Sequence, residues 1–245
     1  MPAAETAPAL RVTGLSAGYG TSDVVLGIDL EVGAGETLVV VGPNGHGKTT
    51  LLRAVSGLIG LSAGVVELGG RRVDGLRAEA RSDLGLIHIP QGDHLFPELT
   101  VEENLLMGAF PRDAWGRRHE ELERVYGIFP ALRERSEQRA RTLSGGERRQ
   151  VAVGRGLMRR PQLLLIDEPS LGLAPVIIET VYETIAKIAA QDISILLVEE
   201  NFTHIEDVAN RVCVLEMGRI VRSGTAAEVA GDATVAQSYL GVLQG

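Results

Sequence analysis

Residues 42–50 read GPNGHGKTT, and residues 42–49 match the phosphate-loop pattern G-x-x-x-x-G-K-[ST]. In this pattern the backbone N–H groups of a glycine-rich turn surround phosphate oxygens, and the lysine reaches the β and γ phosphates of a nucleotide. The apolar run at 38–41 predicts a buried strand, and residues 51–55 predict a helix whose N-terminus faces the anion. This order of elements favours a phosphate site over the alternative, a glycine-rich turn that only connects a strand to a helix.

The choice of basic residues supports the same interpretation. Only two of the 24 basic residues are lysines, Lys48 and Lys187. A compact ammonium fits between phosphates where the planar fork of arginine does not, so a lysine in this turn indicates phosphate binding. Lys187 is expected on a solvated helix face.

The composition restricts the class of protein. With 245 residues, 44% of them hydrophobic, the chain can bury a sizeable core. A net charge of −8 argues against a general nucleic-acid binder, which needs a basic surface. The single cysteine, Cys213, excludes an internal disulfide and is predicted to be a small buried strand residue. The chain has no apolar stretch long enough to span a membrane, and its first residues lack signal-peptide features, so any membrane role is expected to come through a partner.

Apolar and polar residues alternate with a period of two in the first part of the chain. This alternation predicts antiparallel strands at 10–15 and 24–32, a small hairpin at 64–68 and 71–73, and a buried strand at 84–89. Tyr19 lies between the first two strands. An aromatic residue just ahead of the phosphate loop is a candidate for stacking on a nucleotide base, with a packed turn residue as the alternative.

From Thr100 the apolar period becomes helical, and residues 113–128 predict one charged helix. A helical insertion from about residue 92 to residue 160 follows from this change. Beyond it we expect a helix at 176–190, a strand at 193–198 that ends at Glu199, Glu200 and Asn201, and a hairpin at 212–222.

The stretch LSGGE at 143–147 predicts the start of a helix. Ser144 and Glu147 have the spacing of a capping box, in which each side chain accepts a backbone N–H of the other residue. Gly145 and Gly146 then leave the N–H groups of the first turn open to an anion. An ordinary capped helix is the alternative.

The apolar run at 163–166 predicts a strand buried on both faces, and Asp167 and Glu168 follow it. Ligands of parallel sheets bind beyond the carboxyl ends of such strands. With a phosphate loop upstream, Asp167 is predicted to hold Mg²⁺, through water, and Glu168 to act as general base toward an attacking water.

Together these segments resemble the ATP-binding subunit of an ABC transporter, and the resemblance covers essentially the whole chain. The phosphate loop, the glutamine loop with Gln91, the signature sequence at 143–147 and the Walker B strand ending at Asp167 and Glu168 come in the family's order. The resemblance implies an α/β fold, with a RecA-like P-loop ATPase core of mostly parallel sheet. It also implies an N-terminal antiparallel β subdomain and an inserted α-helical subdomain, with residues 1–91 and 161–245 in the core and 92–160 in the insertion.

The same resemblance implies ATP and Mg²⁺ as cofactors and assigns roles to residues. It implies catalytic roles for Lys48, Gln91, Glu168 and the residue at position 200, here Glu200. The implied metal site is Thr49, Gln91 and Asp167. The implied nucleotide contacts are Tyr19, Gly42, Pro43, Asn44, Gly45, Gly47, Lys48, Thr49 and Thr50, together with Ser144, Gly145 and Gly146 of the opposite subunit in a head-to-tail dimer.

Three further sequence segments resemble those of a subgroup, the F-type ATPase of Liv-type branched-chain amino acid importers. The segments concerned lie at 100–105, 169–175 and 197–201. The subgroup implies transmembrane permease subunits, a second ATPase subunit that is paralogous or identical, and indirectly an extracytoplasmic solute-binding protein. It places the chain on the cytoplasmic face of the membrane.

Two positions depart from the family pattern. Leu173 stands where an aspartate is usual, a change that the subgroup shares. Glu200 stands in place of the switch histidine, where the subgroup tends to have glutamine. An ionised glutamate can only accept hydrogen bonds, so it cannot donate one to the γ-phosphate as histidine or glutamine can. Three interpretations stay open: Glu200 is held protonated beside Glu168, it contacts another group, or this site hydrolyses ATP slowly. His204 is expected to be an ordinary residue of the next helix, and His46 a bystander in the phosphate loop.

Three alternatives remain at this level. Urea and short-amide importer ATPases share much of the subgroup wording. A non-transport ABC ATPase acting on DNA or ribosomes is disfavoured because the segment between Gln91 and Ser144 is too short for a long coiled-coil arm, and because there is no basic face. A nucleotide-binding regulatory module with little hydrolysis is suggested only by Glu200.

Overall fold

The computed structural model describes residues 7–110, 112–200, 202 and 204–232. The strands are β1 (Leu10–Tyr19), β2 (Ser22–Val32), β3 (Thr37–Val41), β4 (Ala63–Leu68), β5 (Arg71–Arg72), β6 (Leu86–Ile89), β7 (Leu163–Asp167), β8 (Ser194–Glu199), β9 (Arg211–Glu216) and β10 (Arg219–Gly224). The helices are α1 (Lys48–Val55), α2 (Ala78–Asp83), α3 (Val101–Met107), α4 (Arg112–Trp115), α5 (Arg118–Ile128), α6 (Pro130–Glu134), α7 (Gly145–Leu157), α8 (Pro175–Ala189) and α9 (Ala226–Ala230).

The larger sheet has six strands in the order β10-β9-β3-β8-β7-β6. All neighbouring pairs are parallel except β9 and β10. Every residue of β3, β7 and β8 is buried, because both faces of these central strands are covered. Their carboxyl ends lie at one edge of the sheet, which brings the loops after Val41, Asp167 and Glu199 together.

The smaller sheet is antiparallel, in the order β2-β1-β4-β5. The sequence prediction of a strand ending at residue 15 was too short, since β1 continues to Tyr19. The register of the pairing between β1 and β2 shifts between Val12 and Gly18. At one of these shifts Gly14 takes a left-handed φ of 59°, and its N–H donates to Asp29 Oδ1 at 2.7 Å.

The helical segment between β6 and β7 contains α3 to α7. The prediction of one helix over 113–128 was wrong, because the chain breaks between Trp115 and Arg118 at Gly116, a residue that costs helix stability. Helix α2 carried no sequence prediction. Strand β6 begins at Leu86 and not at residue 84 as predicted, because α2 ends only at Asp83 and Gly85 takes a left-handed φ of 90°.

The core has two parts, one on each face of the larger sheet. Alternate residues of β3 contribute to each: Val39 and Val41 pack with the helices α3, α5, α7 and α8, whereas Leu38 and Val40 pack with α1 and the smaller sheet. This layering fixes the N-terminus of α1 at the carboxyl edge of β3. Cys213 is buried on β9, as predicted. In the described part of the chain, no helix is both long and apolar enough to cross a membrane.

Candidate active site

The turn between β3 and α1 requires glycine at two positions. A Cβ atom at Gly42 would overlap the carbonyl oxygen of Leu215, and one at Gly47 would lie 2.8 Å from Val25 Cγ1. Gly47 also has a φ of 106° and, as the residue before α1, has no side chain that could accept an N–H of the first helical turn. The N–H groups of the first helical turn are therefore left for an anion.

His46 connects this turn to the hairpin of β9 and β10. Its carbonyl oxygen accepts the N–H of Gly218 at 3.1 Å, and its Nδ1 accepts the N–H of Met217 at 3.3 Å. The interpretation of His46 as a bystander missed this structural contact, because nothing in the local sequence indicates a partner 171 residues away.

Lys48 is almost fully buried and lies at the centre of the site. Its Nζ donates to the carbonyl oxygens of Gly42 at 2.6 Å and Pro43 at 3.2 Å, and it lies 3.0 Å from Glu168 Oε1. The other carboxylate oxygen of Glu168 accepts Gln91 Nε2 at 3.0 Å. Three segments that are far apart in sequence thus converge on one buried carboxylate.

Glu168 adopts a left-handed backbone, with φ at 44°, and is 5% exposed. A non-glycine residue in this region carries strain, and such residues concentrate at functional sites. The N–H of Glu168 donates to the Val198 carbonyl oxygen at 3.0 Å, so the neighbouring strand β8 fixes the turn.

Asp167 is buried beside the start of α1. Thr49 Oγ1 donates to Asp167 Oδ1 at 3.1 Å, and burial raises the pKa of this carboxyl above its usual range. One carboxylate and one hydroxyl fit Mg²⁺, which takes few protein oxygens and completes its shell with water and phosphate. In the described residues no group of three or more His, Cys, Asp or Glu side chains is placed to hold a metal by itself.

A cavity of about 240 Å³ opens over these groups. It is lined by Val24, Asn44, Gly45, Gly47, Lys48, Thr49, Thr50, Gln91 and Glu168. Val24 is a contact that sequence reasoning missed. Tyr19 does not line the cavity but stands at the end of β1, about half exposed, with its hydroxyl accepting Arg53 at 3.1 Å.

The start of α7 has the predicted capping box. Glu147 N–H donates to Ser144 Oγ at 3.3 Å, and Ser144 N–H donates to Glu147 Oε2 at 2.8 Å. The Ser144 side chain is exposed, and no residue from 144–146 lines the cavity described above. Within the chain, the signature turn and the phosphate loop do not form one site.

Comparison with known proteins decides the family. Residues 25–171 match the family described as ABC transporter. The chain belongs to the ABC transporter family.

Relatives share nearly their full length with this chain. BraG of Pseudomonas aeruginosa, a high-affinity branched-chain amino acid transport ATP-binding protein, is 40% identical, over 91% of this chain and 95% of BraG. LivF of Archaeoglobus fulgidus, a probable branched-chain amino acid transport ATP-binding protein, is 35% identical, over 90% and 93%. The ADP conformation of an ATP-binding cassette of an ABC transporter superposes with a TM-score of 0.84 at 25% identity, over 96% of this chain and 99% of that one.

These findings confirm the predicted family and fold. The chain is the ATP-binding subunit of an ABC transporter, an ATPase whose partners are membrane permease subunits. The α/β fold, with a mostly parallel sheet and a separate antiparallel sheet, is that of the ABC cassette.

The carboxyl end of β8 holds two glutamates of different character. Glu199 is buried. It accepts hydrogen bonds from the N–H and the hydroxyl of Ser170 at 3.2 and 2.9 Å, and another from the side chain of Tyr182. Burial raises the pKa of Glu199. Glu200, the residue at the switch position, is only half-buried, and Asn201 lies outside the described residues.

His204 does not occupy a helix as the sequence analysis expected. It takes a left-handed φ of 63° and precedes a single 3₁₀ turn at Ile205–Asp207. Its ring packs 5.7 Å from that of Tyr182, so the backbone there is set by tertiary contact and not by helical period.

Proposed function

We propose that this ABC ATPase energises uptake of branched-chain amino acids through a membrane permease, from the cytoplasmic face of the membrane. The observation that carries the proposal is the convergence of Gln91 and the buried pair Lys48 and Glu168 on the phosphate loop. The solute is supported by the names of two relatives that share most of their length with the chain, both of which are named for branched-chain amino acid transport.

In this proposal the phosphates of ATP lie against the N-terminus of α1, where N–H groups and Lys48 bind them. Thr49, Asp167 and Gln91 would hold Mg²⁺, which neutralises charge on the phosphate oxygens. Glu168 would accept the proton of the attacking water. Lys48 and Gln91, each 3.0 Å from one of its carboxylate oxygens, hold this carboxylate beside the phosphate loop. The exposed ring of Tyr19 would stack on the base.

The other half of each site comes from a second ATPase subunit. The signature turn at 144–146 begins α7, with the Ser144 side chain exposed and the turn outside the chain's own cavity. A head-to-tail dimer would place this turn on the γ-phosphate bound by the opposite subunit. A solute-binding protein outside the cell would act on the complex indirectly.

A groove beside the glutamine loop is suited to the permease. It lies between the end of β6, α3 and α7 and is lined in part by His88, Ile89, Pro90, Met107, Arg155 and Arg159. Exposed Phe96 and Phe110 lie on the same helical segment. Exposed large apolar side chains of this kind are typical of a protein interface.

The test is Mg²⁺-dependent ATP hydrolysis by the complex purified with its permease subunits. In Glu168→Gln we expect turnover to fall by roughly 10²-fold or more, because the general base is lost, with ATP still bound. Glu123→Gln, a change on the exposed face of α5, is the control and should turn over ATP normally. Unchanged turnover in Glu168→Gln would refute the base assignment.

The non-transport alternative finds no support in the helical segment. In the described residues, α3 to α6 are all short, the longest being α5 at 11 residues, so no long arm is available for DNA or ribosome binding. Neither the regulatory-module alternative nor a urea or short-amide importer is favoured by the relatives named above.

A further inference from the structure

Asp93, two residues after Gln91, forms ion pairs with the signature helix. Asp93 Oδ2 accepts Arg148 Nε at 2.9 Å, and its Oδ1 lies 3.9 Å from Arg149 Nε. Both arginines belong to the first turns of α7, only a few residues after the signature turn. Neither the family motifs nor local periodicity indicated this contact, which joins residues 55 positions apart.

The backbone on either side of Asp93 is bonded to the same helix. Gly92 carbonyl oxygen accepts Arg149 at 2.8 Å, and His94 carbonyl oxygen accepts Arg155 at 2.8 Å. Three consecutive residues of the glutamine loop are therefore each bonded to α7.

The contacts continue at both ends. Arg148 also donates to the Leu143 carbonyl oxygen at 2.7 Å, directly before Ser144. Gln91 donates to Glu168 at 3.0 Å. Contacts thus run from the signature turn through Arg148 to Asp93, the backbone of Gly92 joins Asp93 to Gln91, and Gln91 contacts the proposed general base.

Arg149 is a second, buried cation beside Asp93. Its side chain is 4% exposed, and among the described residues its Nε has no hydrogen-bond partner. A buried guanidinium needs a nearby anion, and the carboxylate of Asp93 is an ion-pair partner for it. Asp93 also lines the groove that we assign to the permease.

We propose that Asp93 with Arg148 and Arg149, the Asp93 linkage, is a positioning device that sets Gln91 and Glu168 according to the position of the signature turn. It rests on the proposed dimer, in which that turn contacts ATP of the opposite subunit. ATP bound there would then influence hydrolysis in this chain's own site. None of the three side chains is a catalytic residue, since they act through Gln91.

The experiment uses the complex purified with its permease. Three quantities are measured: the rate of ATP hydrolysis as a function of ATP concentration, the affinity for ATP under conditions that prevent hydrolysis, and the melting temperature. The variants are Arg148→Gln, Asp93→Asn, the double variant and the conservative Asp93→Glu. Arg148→Gln is the main variant because its side chain is 39% exposed and its loss leaves no buried charge. The control is Asp83→Asn, which breaks a 2.9 Å pair with Arg159 beyond the end of α7 and touches neither motif.

We expect Arg148→Gln to lower turnover about three- to tenfold, with ATP affinity and melting temperature unchanged and the Hill coefficient reduced towards 1. The double variant should be no slower than the slower single variant, because both changes break one linkage. Asp93→Glu should recover at least half of wild-type turnover, and Asp83→Asn should behave as wild type.

Wild-type turnover in Arg148→Gln, or losses that multiply in the double variant, would overturn the linkage. So would an equal loss of turnover in Asp83→Asn. Glu168→Gln, measured in the same complex, separates the two proposals. If it abolishes turnover while Arg148→Gln does not reduce it, the proposed function stands and the linkage fails; if Glu168→Gln keeps turnover, both fail.

Discussion

The phosphate loop and the signature turn are both glycine-rich helix starts, but they are built differently. At the phosphate loop Lys48 is buried and pairs with Glu168 from another strand, and Gly47 offers no cap to α1. At the signature turn Ser144 is exposed and caps its own helix through Glu147. The first is assembled from distant segments of the chain, whereas the second is locally complete and faces outward.

This difference assigns the two turns to different partners. A helix N-terminus without a side-chain cap, next to a cavity that contains a buried lysine, can bind the phosphates of a ligand through its free N–H groups. A capped helix start with an exposed Ser144 suits a ligand carried by another molecule. The comparison predicts that changes at the loop alter ATP affinity and that changes at the signature turn alter turnover alone.

The largest effect is expected from Lys48→Ala. Removing this ammonium deletes a phosphate ligand and leaves the buried Glu168 carboxylate without its cation, so ATP affinity should fall by about tenfold or more and turnover by roughly 10²-fold. Equilibrium binding of ATP to the isolated chain checks the affinity. Lys187→Ala, on the exposed face of α8, removes the only other lysine and should change neither quantity.

A mid-sized effect is expected in the pH dependence of stability. Burial, with a smaller contribution from the Arg53 charge, lowers the pKa of His88 to about 4, and its Nδ1 lies 3.2 Å from Ser56 Oγ at the end of α1. The unfolded state binds a proton near pH 6.5 and the folded state does not. His88 therefore contributes stability above that pH that is lost as pH falls towards 4, which amounts to about 2 kcal/mol between pH 7.5 and 5.

Urea unfolding at pH 7.5 and at pH 5 measures this contribution. In His88→Phe the fall in unfolding free energy over this interval should be smaller by about 2 kcal/mol than in the wild type. His119→Phe, a change on the outer part of the helical segment, should keep the wild-type slope. An unchanged slope in His88→Phe would contradict burial of a neutral imidazole beside the phosphate-loop helix.

The smallest effect is expected from Glu200→His. Glu200 is half-buried, unlike its neighbour Glu199, whose carboxylate accepts hydrogen bonds from Ser170 and Tyr182. A histidine can donate a hydrogen bond to the γ-phosphate where an ionised glutamate cannot, so turnover should be kept or raised, by no more than about tenfold. A collapse of turnover in the variant would show instead that the glutamate itself has a specific role.

The sequence predicted the parts of the fold that depend on local pattern. The central strands are continuous apolar runs because both faces are buried, and the phosphate loop and capping box are fixed by glycine and short-range hydrogen bonds. Helix α2, the break at Gly116 and the left-handed His204 were missed, since packing against distant segments decides them.

The site residues also divide into those that local motifs predict and those that only the tertiary fold brings together. Lys48, Thr49, Asp167 and Glu168 could be named from their motifs, and the structure pairs Lys48 with Glu168 and Thr49 with Asp167. The contacts of Asp93 with α7 could not be predicted. Charged side chains on two separate segments give no signal of pairing until the fold places them together.

The most direct test of the central claim, that the phosphate loop is half of a site completed by another subunit, is Ser144→Arg measured for both ATP affinity and turnover. We predict that the isolated chain keeps its ATP affinity, because Ser144 lies outside its own cavity, while the complex with the permease loses turnover by roughly 10²-fold. Loss of ATP affinity comparable to that of Lys48→Ala, or turnover at the wild-type rate, would contradict it.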